Sequence, residues 1–141
     1  MKNAKIIGKV VGLVILVGVI LFGLIQLIPY GRDHSNPPLV QEPNWDVQTR
    51  AIAQKACFDC HSNEVVWPWY SNIAPVSWLV QHDVEEGRRY LNFSEWEGAK
   101  NHEVGEVVAE SEMPPAQYIL IHTDAKLTQA EKQALIQAFG R

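Results

Sequence analysis

The sequence predicts an all-α domain with long loops, preceded by one transmembrane helix. Three observations predict it. A 19-residue run, Val10 to Ile28, carries no charge. Beyond it, the pairs Ser94/Glu97 and Thr128/Glu131 have the spacing of helix-opening capping boxes. No apolar–polar alternation longer than a few residues marks a strand. The chain's 141 residues suit one ordinary domain.

The apolar run comes first. As a helix, 19 residues span about 28 Å, close to the hydrocarbon thickness of a bilayer. Gln26 is its only polar side chain, and Lys2, Lys5 and Lys9 precede it. Basic residues on that flank hold the N-terminus in the cytoplasm and deliver the rest outside. A cleaved signal peptide has a shorter core and ends at a small-x-small site. Here the run ends Gln26-Leu27-Ile28-Pro29-Tyr30-Gly31, without one. The expectation is therefore a cytoplasmic start (1–9), an uncleaved anchor (10–28), a linker (29–44) and an exported domain (45–141).

The linker carries four prolines and no apolar periodicity, so it reads as an extended tether in which His34 is solvated. Asp46 N-caps a helix running to about Cys57, with Val47, Ala51, Ile52 and Ala56 on one face. A turn-rich stretch, 62–74, follows. Pro75 suits the first position of a helix over about Val76–Arg88. Ser94 and Glu97 open a helix to about Glu110. Thr128 and Glu131 open the last, which Gly140 stops after Phe139. That helix places Leu127, Ala130, Ala134, Leu135 and Ala138 on one side.

Charge excludes one class of partner. The whole chain has net charge −4 and pI about 5.7, and the part after Tyr30 holds nine basic and 16 acidic residues, net −7. An acidic domain is not a nucleic-acid binder. Its core is thin for its loops, yet five tryptophans are present. Either they build the core themselves or they pack around something large and flat.

Both cysteines lie in one pentapeptide, Cys57-Phe58-Asp59-Cys60-His61. Cys-x-x-Cys-His is the attachment signature of c-type haem. Two thiols three residues apart on a helical turn reach the two vinyl groups at one edge of the ring. The following imidazole swings under the iron. The exported position agrees with this chemistry. A disulfide closing so short a loop stabilises little. A thioredoxin-like pair lacks its βαβ context, and a zinc site lacks a second cysteine pair and would need scattered histidines to complete it.

One such motif means one covalent haem, and the sixth iron ligand then decides function. Met113 is the only methionine besides the initiator, set in Glu112-Met113-Pro114-Pro115. A thioether raises the potential by favouring reduced iron, and the prolines stiffen its loop. His82, His102 and His122 are the rival ligands; any of them would lower the potential. An iron with no sixth ligand would suit a sensor or a peroxidase-like enzyme, although no residue spacing marks a distal base.

The segments Trp67-Pro68-Trp69-Tyr70-Ser71, Ile73-Ala74-Pro75-Val76-Ser77-Trp78 and Gly87-Arg88 accompany the motif. So do Leu91-Asn92-Phe93-Ser94 with Trp96, and Met113-Pro114-Pro115 with Tyr118 and His122. Together, from about Trp45 to Phe139, they resemble the bacterial haem-binding domain family of small, membrane-anchored, single-haem cytochrome c-like proteins. The resemblance implies an all-α, cytochrome c-like fold, with Cys57 and Cys60 as thioether sites and His61 as proximal ligand. By analogy with single-haem cytochromes it implies Met113 as distal ligand. Trp67, Trp69, Pro75, Trp78, Arg88 and Arg89 are candidates for ring packing or propionate contact; ordinary core packing or solvation explains each equally well. A carbonyl of Pro75 or Pro68 is the candidate acceptor for the second ring nitrogen of His61. The expected function is single-electron transfer at the outer face of the cytoplasmic membrane, without catalysis. The expected partners are a membrane-bound donor and an acceptor bearing a basic docking patch.

Overall fold

A computed structural model describes residues 2–96 and 101–139. Among these the chain is all-helical, with no strand and a single isolated bridge pairing Gln41 with Glu95. The helices are α1 (Lys2–Ile25), α2 (Val47–Ala56), α3 (Phe58–His61), α4 (Val76–Tyr90), α5 (Asn101–Ala109), α6 (Ala116–Ile121) and α7 (Gln129–Phe139). Short 3-10 turns cover Trp69–Asn72 and Thr123–Ala125. The chain forms two compact units, Met1–His34 with Pro68–His82, and Ser35–Trp67 with Asp83–Arg141.

In the first unit, α1 is long and apolar enough to cross a membrane over Asn3–Ile25, with mean hydropathy 2.7 and none of it buried. Its end is bound rather than loose. The Gln26 side chain donates from Nε2 to the Ala74 carbonyl (2.9 Å) and accepts from the Ala74 amide at Oε1 (3.0 Å). Gly31 has φ +85°, and a Cβ there would lie 2.5 Å from the Ser77 carbonyl carbon. Only glycine fits both the backbone conformation and the space. His34, expected to be solvated, sets Nε2 at 3.0 Å from the Ser71 carbonyl.

The second unit holds the core. Asp46 caps α2 as expected, accepting from the Gln48 and Thr49 amides at 2.8 and 3.0 Å. The buried face of α2 is Thr49, Ile52, Ala53 and Ala56. Val47 and Ala51, expected inside, are exposed, because α7 and α3 pack on the neighbouring stripe. Thr128 and Glu131 form the expected box: Glu131 Oε2 accepts from the Thr128 amide (2.8 Å), and Thr128 Oγ1 from the Glu131 amide (3.3 Å). On α7 the buried residues are Leu135 and Phe139, with Leu127 just before; Ala130 and Ala138 are exposed.

Ser94 does something other than cap a helix. Its hydroxyl oxygen accepts from the Asn63 amide (2.9 Å), and its carbonyl accepts from Val40 and Gln41 (2.9 and 3.1 Å). The Glu97 half of that expected box, and the Gly140 stop, lie outside the described residues.

The expected tether is also partly built into this unit. Ser35, Asn36 and Pro38 offer oxygens to donors of the domain, and Gln41 accepts from the Trp96 amide (3.0 Å). Prolines have no N–H to donate, so much of this stretch is held through its oxygens. The core centres on an aromatic cluster. Phe93 lies 5.4 Å from Trp45, 6.0 Å from Phe58, 5.7 Å from Trp96 and 5.8 Å from Phe139, ring centre to ring centre. Offset aromatic contacts of this kind add to the burial of their large apolar area. Two of the five tryptophans therefore build the core.

Candidate haem site

The pentapeptide sits where α2 breaks into α3. The Cys57 amide donates to Ala53 (2.8 Å), closing α2, and the Cys57 carbonyl accepts from His61 (2.9 Å), opening the single turn of α3. That turn carries both thiols, which are free. The two intervening residues diverge. Phe58 is 1% exposed and belongs to the aromatic cluster. Asp59 faces the other way: Oδ1 accepts from the Val66 amide (3.0 Å) and Oδ2 from the Tyr118 hydroxyl (2.7 Å).

His61 is held by α4. Its Nδ1 lies 3.0 Å from the Gly87 carbonyl and 3.1 Å from the Leu91 carbonyl. Nδ1–H therefore donates to this carbonyl pair, which fixes the tautomer and leaves Nε2 as the free base. The expected acceptors are engaged elsewhere: Pro75 O accepts from Trp78 and Leu79, and Pro68 O from Ser71. The ring stands edge-on to Phe93 at 6.4 Å, and the His61 carbonyl accepts from the Phe93 amide (2.7 Å). Burial lowers the His61 pKa, against the opposing pull of the two carbonyls.

Gly87 makes the grip possible. A Cβ at this position would lie 2.3 Å from the Cys60 carbonyl oxygen and 3.0 Å from the Cys60 Cβ. Helix α4 can thus cross the motif at backbone contact only with glycine there.

The thiols are the reverse of a redox-active pair. Burial pushes both Cys57 and Cys60 up to about 12, helped for Cys57 by Cys60 and for Cys60 by Asp83 and Asp59. A disulfide-exchange cysteine needs a lowered pKa. No group of three or more metal-ligating side chains occurs among the described residues. Two thiols on one turn, an imidazole with Nδ1 committed and Nε2 open, and a backbone cradle that a Cβ would fill are a donor set that fits a haem.

The other expected residues fall as follows. Met113 lies in the second unit, 36% exposed, just before α6. The segment it begins is tied to the motif by the Tyr118–Asp59 bond, and His122 stacks on Tyr118 at 4.2 Å between ring centres. His82 is exposed on α4 in the first unit. The His102 side chain lies outside the described residues. Arg88 points its guanidinium at backbone: Nε donates to Ser62 O (2.8 Å), and the two terminal nitrogens to Ser35 O (3.1 Å each). Arg89 pairs with Glu86 on the surface. Trp67 is half-buried in the second unit, whereas Trp69, Pro75 and Trp78 belong to the first.

Asp59, Tyr118, Gly87 and Leu91 were not singled out as site residues in the sequence. Gly87, Leu91 and Tyr118 do lie in the segments that carry the family resemblance, and a glycine inside a helical pattern is a further signal for Gly87.

A family model described as a haem-binding domain matches residues 20–140. The chain belongs to the haem-binding domain family. The match begins inside α1 and takes in the whole of residues 29–44, beyond the Trp45–Phe139 stretch on which the resemblance was read. No curated protein and no solved structure matches the chain significantly.

Proposed function

We propose that the protein is a membrane-anchored, single-haem c-type cytochrome that passes single electrons on the outer side of the cytoplasmic membrane. One observation carries this reading: His61, next to two free thiols, has Nδ1 held by the Gly87 and Leu91 carbonyls and Nε2 left open. Cys57 and Cys60, both free thiols on one turn, would hold the haem covalently as thioethers. His61, through Nε2, and Met113 would be the residues that bind its iron. A haem bound there supplies a one-electron iron couple.

The residues around this position do the rest. The carbonyl pair keeps the imidazole aimed, and burial favours its neutral form. The Asp59–Tyr118 bond brings the Met113 segment to the motif. A net charge of −7 beyond Tyr30 favours fast, weak encounter with a basic partner surface.

Retention of α1 as an anchor has its own support. A cleaved signal has no reason to be built into the mature fold, yet Gln26 is bonded to Ala74 and the family match starts at residue 20.

The test is the absorption spectrum of the ferric protein, made in a host that attaches c-type haem. A weak red charge-transfer band, lost in Met113→Ala, is the expected result. A high-spin spectrum overturns electron transfer in favour of an open iron that senses or processes small ligands. A low-spin spectrum without the band replaces Met113 by a second histidine.

A further inference from the structure

Between Glu64 and Asp83 there is no charged residue, in a chain that is 20% charged. Most of this stretch, Pro68–His82, belongs to the same compact unit as α1. It is fastened to the segment that follows α1 at three points: Gln26 with both backbone groups of Ala74, Gly31 against the Ser77 backbone, and His34 with the Ser71 carbonyl. Despite this packing, four of its large apolar side chains point outward, while Tyr70, Trp78 and Val80 are half-buried. Trp69 is 76% exposed and Leu79 59%, with Ile73 and Val76 also open. Val76 and Leu79 lie one turn apart on α4, so they share a face. Leu27 and Ile28, at the end of the anchor, are exposed as well.

Exposed aromatic and branched residues without charge, fixed at the end of a membrane-crossing helix, match the composition of a membrane interface. We infer that the Trp69–Leu79 segment is a second membrane contact, inserting Trp69, Ile73, Val76 and Leu79 into the headgroup–acyl boundary of the leaflet where α1 emerges. The inference rests on the reading of α1 as a membrane span. Continuity with the end of that span selects lipid as the occupant. A tryptophan at headgroup depth keeps its ring in the apolar boundary and its N–H in reach of water. The amide pairing of Gln26 satisfies the Ala74 backbone groups at a depth where water is scarce.

Photo-crosslinking of the full haem-loaded chain in vesicles of phosphatidylethanolamine and phosphatidylglycerol tests this. A benzophenone amino acid replaces Leu16, Trp69, Leu79 or Leu120, one at a time, and lipid adducts are counted by mass spectrometry. Leu16 reports the span; Leu120, 82% exposed on α6 in the other unit, is the control. Adducts at 16, 69 and 79, several-fold above those at 120, are the expected result. Adducts at 16 without adducts at 69 and 79 overturn the inference and leave the anchor standing. Absence of adducts at 16 overturns the anchor itself, and the inference with it. Protein–protein adducts at 69 and 79 in place of lipid adducts assign the face to a second copy of the chain and overturn the inference. Equal labelling at 120 and 79 overturns the specificity of the face.

Discussion

Gly87→Ala isolates the contact between α4 and the Cys-x-x-Cys-His turn. The new methyl would stand 2.3 Å from the Cys60 carbonyl oxygen. An ordinary carbon–oxygen contact is about 3.3 Å, so the helix must retreat by about 1 Å. The obstacle is backbone, which cannot rotate away. Overpacking of this kind costs about 1–3 kcal/mol. The retreat also stretches the His61 Nδ1 bonds from 3.0 and 3.1 Å, each contributing about 1 kcal/mol. Against this, alanine in a helix interior gains about 1 kcal/mol over glycine. The balance is a loss of about 2–3 kcal/mol, or about 10 °C in apparent Tm for a domain of this size. Thermal unfolding of the haem-loaded chain in detergent, followed by helical circular dichroism and by the main haem absorption band, measures it. If helix propensity alone governed the site, the variant would be more stable than wild type. An unchanged or raised Tm refutes the close-approach argument.

Three further outcomes are expected. Tyr118→Phe deletes a 2.7 Å hydrogen bond to Asp59; it should cost about 1 kcal/mol and, with Met113 as the proposed iron ligand, weaken the methionine charge-transfer band, because the Met113 segment loses its tie to the motif. Lys55 sits 2.5 Å from Glu131, and its hydrogen bond, together with the Thr128 amide, lowers the Glu131 carboxyl from an ordinary 4.5 to about 2. A depressed carboxyl stabilises the fold above its ordinary pKa and loses that contribution as pH falls. The Tm difference between wild type and Lys55→Ala should therefore be constant above pH 4.5 and shrink toward about pH 2. Gln26→Ala removes the acceptor of the Ala74 amide. Hydrogen exchange at Ala74 should accelerate about fivefold, the equivalent of about 1 kcal/mol, while exchange in the α2–α7 core stays unchanged.

The readable parts of the fold were those with local signals. Asp46 and the Thr128–Glu131 pair announce α2 and α7 because a capping side chain and its target are three residues apart or fewer. Helix α6 carries no local signal of this kind: Pro115 precedes it and no side chain caps it. The buried face of α2 was misjudged because Thr49, which bonds Asp46 and faces inward, reads as polar. Residues 29–44 read as a free tether because the bonds that hold them come from Arg88, Asn63 and Ser94, more than twenty residues away. The Cys57–His61 pentapeptide is contiguous, so its pattern can be read directly from the sequence. Its support cannot. The Gly87 and Leu91 carbonyls are backbone groups, which every residue type supplies and no composition reveals.

The two residues between the cysteines carry a consequence for how freely this pentapeptide can vary. Thioether chemistry places no demand on them; it needs only the spacing. Here one is committed inward, where Phe58 fills the aromatic cluster, and the other outward, where Asp59 gathers the Val66 amide and the Tyr118 hydroxyl. The turn is thus pinned from both sides by positions whose identity the attachment chemistry leaves open. In this chain the pentapeptide has no neutral site. On the proposed reading, its five letters answer to two separate requirements, three to the chemistry of attachment and two to the architecture that holds the turn still.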